Sequence, residues 1–181
     1  FSNKVASSHF DFDVDSKGGL YVAYADNEAS PKSAKVMGYS GGSWSLVGSG
    51  AANNFMPQNL SLAALSDNNL VLLQKCNSKS DPFKRNDLVV SLYNGSWNSN
   101  TVLDITSMAV KTCKAGGAAY ALVIRRGSPC PFDVLKYENG TWTALRTNFL
   151  RDGASNTGNF VYDITACEDG TVLALTADDA L

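Results

Sequence analysis

The chain reads as an all-β fold made of a repeated antiparallel unit of four strands, with three such units complete and a fourth present in part. Three observations predict it. A strand-like run meets a tight glycine turn and then a tryptophan at Tyr39-Ser-Gly-Gly-Ser-Trp44, Tyr93-Asn-Gly-Ser-Trp97 and Tyr137-Glu-Asn-Gly-Thr-Trp142. These tryptophans lie 53 and 45 residues apart, a period that fits four-stranded units set around an axis better than short solenoid turns. The Asn-Gly and Gly-Gly dipeptides supply the positive φ angles that two-residue type I′ hairpins need, so consecutive strands can pair antiparallel. Helix signals are missing, since no stretch holds a 3.6-residue apolar period between a cap and a stop.

Each element follows from this pattern. In the first unit Phe10 to Asp15 and Leu20 to Ala25 flank a turn at Lys17-Gly-Gly19, and Ala34 to Tyr39 and Trp44 to Gly48 flank the Gly-Gly turn. The second unit has Leu60 to Leu65, Leu70 to Lys75, Asp87 to Tyr93 and a strand from Trp97 onward, with Asp67-Asn-Asn69 at its first turn. The third runs Met108 to Thr112, Ala118 to Ile124, Phe132 to Tyr137 and Trp142 to Leu145, around Gly116-Gly117 and Asn139-Gly140. A fourth begins at Val161 and supplies Val161 to Ala166 and Thr171 to Thr176 around Asp169-Gly170. The whole chain, 1–181, is then one domain with units at about 10–50, 59–100, 104–148 and 160–181. Ring closure by this chain alone is expected to be incomplete, and an open strand edge is a template for pairing with another chain.

With four-stranded antiparallel units repeated in this way, the chain resembles β-propeller proteins, whose blades are arranged radially. The resemblance covers residues 10 to 176 and is architectural. The paired glycines that follow the second strand in kelch repeats, the Trp-Asp dipeptide of WD repeats and the Ser-X-Asp-X-Gly-X-Thr-Trp box of sialidase-like blades do not occur. It implies a sheet-on-sheet core of three four-stranded blades plus a partial fourth, and a face or channel able to take a ligand.

Composition narrows the function classes. With 15 Lys and Arg against 17 Asp and Glu, a net charge of -2 and no basic run, the chain lacks the phosphate-neutralising surface of a nucleic-acid binder. Its longest fully apolar stretch, Ala118 to Ile124, is far shorter than the roughly 20 residues a membrane helix needs. Low charge, abundant Ser, Asn, Thr and Gly, four cysteines and the Asn-X-Ser/Thr sequons at Asn59, Asn94 and Asn139 point to an extracellular or cell-surface setting. Asn94 and Asn139 sit at the same hairpin tip of successive units, where a glycan would meet an exposed loop; the same residues also arise from turn chemistry alone. Asn59 begins a strand.

Four cysteines allow three pairings. Cys113 and Cys167 precede the first turns of their units, and Cys76 and Cys130 follow the second strands of theirs. The economical staples are therefore Cys76 with Cys130 and Cys113 with Cys167, each closing about 54 residues. Buried thiols acting as small hydrophobes are the alternative.

No residue set reads as catalytic. Asp11, Asp13 and Asp15 alternate as calcium ligands do in Asp-X-Asp-X-Asp loops, but period-two alternation explains them equally, with Phe10, Phe12 and Val14 on the other face. No glutamate completes an EF-hand, and calcium is the only cofactor the pattern admits. The Asp-Ile-Thr tripeptides at 104–106 and 163–165 could offer paired carboxylates. Asp104 lies nine residues before Cys113 and Asp163 four before Cys167, so they are not equivalent positions. His9, the one histidine, has no evident nucleophile partner. Trp44, Trp97 and Trp142 either stack on sugars or pack across the strand against Tyr39, Tyr93 and Tyr137. The segments Asp26 to Ser33, Asn77 to Asn86 and Arg125 to Pro131 all join second to third strands and are expected to cluster on one face.

The function expected is a non-catalytic extracellular structural, adhesion or scaffold module, glycosylated and assembled with other copies or with a longer chain. A carbohydrate-binding, lectin-like module is the alternative, and a glycan-processing hydrolase a third.

Overall fold

A computed structural model describes residues 9–26, 32–48, 52, 57–66, 69–77, 86–125, 131–149 and 160–178, the side chains of 77, 86–87, 99–104, 106, 108, 160–161 and 176–178 excepted. The described residues are all-β. The strands are β1 (Phe10–Val14), β2 (Leu20–Asp26), β3 (Ser33–Ser40), β4 (Ser43–Leu46), β5 (Pro57–Ser66), β6 (Asn69–Asn77), β7 (Asn86–Asn94), β8 (Trp97–Ala115), β9 (Ala118–Arg125), β10 (Phe132–Glu138), β11 (Thr141–Phe149), β12 (Phe160–Ala166) and β13 (Val172–Asp178). Every pairing is antiparallel between sequence neighbours.

Unit one is the sheet β1-β2-β3-β4 and unit four is the pair β12-β13. Units two and three form one seven-stranded sheet, because β8 runs on where a break between Trp97 and Met108 was expected. Its first half pairs with β7 and its second half with β9, through register irregularities at Asp87/Leu88 and Ser107/Ala109. One 19-residue strand thus serves as the last strand of unit two and the first of unit three. Thr101, Val102, Ile105 and Thr106 lie in this stretch, residues that favour extended backbone, and no Gly or Pro interrupts it.

Successive first strands lie side by side, β1 against β5, β5 against β8, and β8 against β12. The core is therefore layered between units. Tyr21, Ala23, Ala34 and Val36 of unit one meet Leu60, Leu62, Leu70 and Leu72 of unit two. Val71, Leu73, Leu88 and Val90 of unit two meet Val110, Ala119, Ala121, Val123 and Leu135 of unit three. Tyr120, Leu122, Phe132 and Val134 of unit three meet Ile164, with Tyr162, Ala166 and Val172 packed beside it. A strand covered on both faces must be apolar at every position, and Leu70-Val-Leu-Leu73 and Ala118 to Val123 are such runs, fully or almost fully buried.

Gly41-Gly42, Gly116-Gly117 and Asn139-Gly140 form the expected two-residue turns, whereas Lys17-Gly-Gly19 and Asp169-Gly170 lie in five-residue connections with positive φ only at Gly18 and Gly170. Asn139 and Gly140, at φ 51° and 82°, form the two-residue positive-φ turn between Glu138 and Thr141. At Tyr93-Asn-Gly-Ser-Trp97 the register sets Tyr93 opposite Trp97 across a three-residue turn, closed by the Asn94 N–H donating to the Ser96 carbonyl at 3.2 Å. All three Tyr-Trp pairs are cross-strand neighbours, with ring centroids 5.2, 5.0 and 5.2 Å apart.

Candidate functional site

The first strands bring together polar side chains that are far apart in sequence. β1 places Asp11 and Asp13 on the face that meets unit two, since alternate residues of a strand share a face. Asp11 accepts from the Ser61 hydroxyl at 2.6 Å, from the Leu62 N–H at 3.0 Å and from Lys111 Nζ at 3.2 Å. Asp13 accepts from the Ala64 N–H and the Val14 N–H, each at 2.8 Å, and pairs with Lys114. The Thr112 N–H donates to Ser61 Oγ at 2.9 Å, and the Val110 N–H donates to Asn59 Oδ1 at 2.8 Å. The Asn59 amide reaches on to the Tyr162 hydroxyl at 3.3 Å.

These groups border a groove of about 310 Å³ lined by Asp11, Asp13, Lys111, Thr112 and Lys114, with Phe12, Leu62 and Cys113 alongside. Two carboxylates and two ammonium groups balance its charge. Burial pushes the Cys113 thiol up to about 11, and the nearby Asp163 and Asp13 carboxylates add to that shift. A thiol held protonated at neutral pH is a poor nucleophile. The groove therefore offers hydrogen-bond donors and acceptors, and its one thiol is not an activated nucleophile.

The Asp11, Asp13 and Asp15 triplet does not converge on a cation. Asp15 closes the first turn, accepting from the Lys17 and Gly19 N–H groups at 2.8 Å each and from the Tyr21 hydroxyl at 3.2 Å. Burial alone would raise its carboxyl, but these donors and the Lys114 charge outweigh that and hold it below the usual carboxylate value. Protein donors engage all three carboxylates, and among the described residues no group of three or more His, Cys, Asp or Glu is placed to hold a metal ion. The strand's polarity is also the reverse of a half-exposed strand. The carboxylate face is turned into the interface, and Phe10 and Phe12 are 71% and 60% exposed.

The other residues singled out by sequence fall as follows. Trp97 and Trp142 are partly buried against the cores between units, and the Trp97 Nε1–H donates to the Val47 carbonyl at 2.9 Å. Trp44 lies with Tyr39 on the outer end of unit one. Asn94 and Asn139 are exposed at their hairpin tips. Asn59 is half-buried and its amide joins units two, three and four, so a glycan on its nitrogen would break that link. Cys76 is buried, Cys113 packs beside the core between units three and four, and Cys167 is exposed; Cys113 and Cys167 carry free thiols, while Cys130 lies outside the described residues. The His9 carbonyl accepts from the Ala25 N–H at 3.1 Å. Asp163 is exposed on β12, and the Asp104 side chain lies outside the described set. Residues 27–31, 78–85 and 126–130, which make up most of the three second-to-third connections, also lie outside it.

Ser61, Lys111, Thr112 and Lys114 were not singled out from sequence. Their signal was an offset of 50 or 51 residues between successive first strands, as in Asp11 to Ser61 and Ser61 to Thr112. Counting between tryptophans hides it, because the distance from first strand to tryptophan varies between units, 33 residues from Asp11 to Trp44, 36 from Ser61 to Trp97 and 31 from Lys111 to Trp142. A second charged group, Arg125 Nε to Asp133 Oδ2 at 3.1 Å with the Asn148 N–H on Asp133 Oδ1 at 2.8 Å, is closed within unit three.

No family model matches the chain, and no curated protein matches it. Among solved structures, a fucose lectin from Kordia zhangzhouensis in complex with methyl-fucoside aligns at a TM-score of 0.47 and 9% identity, over 76% of this chain and 99% of that one. Among the described residues no helix is long and apolar enough to cross a membrane.

Proposed function

We propose that this chain is a non-catalytic extracellular structural, adhesion or scaffold module that works by assembling with further repeat units, in other copies of itself or in a longer chain. The observation that carries this reading is the open face of unit one. Its Phe10, Phe12, Tyr39 and Leu46 are exposed large apolar residues, and the register sets Phe12 beside Val22 and Met37 in one row and Leu20 beside Tyr39 and Trp44 in the next. A contiguous apolar sheet face of this kind marks an interaction surface. Measurement of the solution mass across a concentration series tests the reading, with association expected for the native chain and loss of association on Phe10→Ser/Phe12→Ser. Glycans at Asn94 and Asn139 belong to the same reading, and intact mass before and after glycosidase treatment checks them.

A second reading, carbohydrate binding, is favoured by the groove between β1, β5 and β8. It brings paired carboxylates, ammonium groups and a hydroxyl together, fixed polar groups of the kind that suit a sugar. A glycan array tests it. Binding that is lost on Lys111→Ala and Lys114→Ala supports it, and an array with no positive glycan removes it.

A further inference from the structure

We infer that the open face of unit one is covered by the open face of unit four of a second copy of this chain, head to tail, repeating between chains the contact that joins unit one to unit two within one chain. The inference rests on the assembly reading and supplies its partner and register.

Phe12 and Leu62 hold the same place in their units. Phe12 pairs with Val22 and Leu62 with Leu72, and two residues further along Val14 pairs with Leu20 and Ala64 with Leu70. Leu62 is 2% exposed because Tyr21 and Ala23 of unit one lie against it, whereas Phe12 is 60% exposed. Unit one thus offers at one end the face that unit two buries.

Unit four offers the matching half at the other end. Asp163 pairs with Leu175 and Thr165 with Leu173, as Asp11 pairs with Ala23 and Asp13 with Tyr21. The first turns are superposable in their bonding. The Cys167 N–H donates to the Thr171 carbonyl and the Gly170 N–H to the Cys167 carbonyl, as the Asp15 N–H donates to Gly19 and the Gly18 N–H to Asp15. Ile164, Ala166 and Val172 face unit three, so Leu173 and Leu175 face away from it, 60% and 58% exposed. With Asp163, Thr165 and Ala174 they border a groove of about 360 Å³ able to receive an apolar side chain.

In the internal contact the Asp11 carboxylate accepts the Leu62 N–H, and the ring-side face of unit one covers the leucines. In the contact between copies Asp163 takes the place of Asp11 and accepts the Phe12 N–H, while Phe12 enters the groove beside Leu173 and Leu175. Such a contact is heterologous, and two copies related by a half-turn would close it with identical seams at both ends. They then bring eight units together, within the range of about four to eight seen in radial β repeats.

Analytical ultracentrifugation of the full chain tests this, using the native protein, Phe12→Asp, Leu175→Asp and an equimolar mixture of the two variants. The native chain is expected to sediment as two copies. Each variant alone has both seams broken and is expected as a single chain, with association weakened at least about 100-fold. The mixture retains one intact seam, between the native unit four of one variant and the native unit one of the other, and is expected to regain a two-copy species. Asp163→Ala is expected to weaken association about tenfold. Circular dichroism checks that each variant keeps its strand signal, and Phe12→Ser and Leu175→Ser replace any that does not.

A native dimer that survives Leu175→Asp but not Phe12→Asp would overturn the head-to-tail register while leaving the assembly reading in place. A native chain that remains single at every concentration overturns the second-copy inference. An apolar dye then separates the two ideas. Dye bound by the native chain and not by Phe12→Asp keeps unit one open to another partner, and no dye binding at all removes the assembly reading as well.

Discussion

Units one and two carry the same apolar pattern in different surroundings. In unit two both sheet faces are covered, and Leu70, Val71, Leu72 and Leu73 are fully buried in alternation toward units one and three. In unit one the face toward unit two is buried at Ala23 and Val36, while Phe10 and Phe12 on the other stand in solvent. Burial within this chain therefore does not explain the aromatic residues of β1. In the assembly we propose, a neighbouring sheet covers them.

The contrast breaks most sharply under truncation. Leu72→Ala or Leu73→Ala opens a cavity with a neighbouring unit on that side and is expected to cost about 2–5 kcal/mol in urea unfolding. Phe12→Ala in the single chain is expected to change stability by no more than about 0.5 kcal/mol, because its surroundings are mostly water. Equal losses at the two positions would mean that Phe12 is covered.

Gly48 ranks next. Its φ is 77°, and a Cβ there would sit 2.9 Å from Trp97 Cδ1, which the Val47 carbonyl holds through the indole N–H. Gly48→Ala is expected to cost about 1–3 kcal/mol, against less for Gly41→Ala, where the φ is 58° but the space is open. Matched losses would place Trp97 elsewhere.

Asp11→Ala strands the Leu62 N–H and removes the acceptor for Ser61, an expected loss of about 1–3 kcal/mol. Asp163→Ala, at the repeat of that position on the open end, is expected to leave the single chain within about 0.5 kcal/mol of the native stability. The pair of values reads out directly which end is covered.

Asp15 gives the smallest effect and one that depends on pH. Its folded carboxyl lies below the unfolded value of 3.8, so it contributes stability above that pH and loses the contribution as the pH falls through the lower folded value. Asp15→Asn is expected to flatten the acid side of the stability profile and to leave the neutral plateau lower. An unchanged acid limb would show that the first turn of unit one does not need the charge.

Most of the strand plan was legible because turn chemistry and alternation act locally. Gly116-Gly117 and Asn139-Gly140 mark hairpins, and the Tyr-Trp pairs follow from them. The continuity of β8 was not legible, because whether an extended stretch breaks depends on which neighbours pair with each half. The groove was half legible. Asp11 and Asp13 were visible as a pair, but their partners Ser61, Lys111 and Lys114 come from strands 50 to 101 residues away and appear only once the first strands lie side by side. The reversed polarity of β1 was hidden for a related reason: carboxylates face inward where backbone N–H groups of the next strand await them, an arrangement composition does not encode.

Hydroxyl-radical footprinting of the native chain, at a dilution where it sediments as a single copy, tests the repeat most directly. The account predicts rapid labelling of Phe10, Phe12, Leu173 and Leu175 with strong protection of Leu62, Leu72 and Trp97, and protection of the first group once the concentration is raised to the two-copy range. Phe12 protected like Leu62 in the single chain, or Leu62 labelled like Phe12, would contradict it.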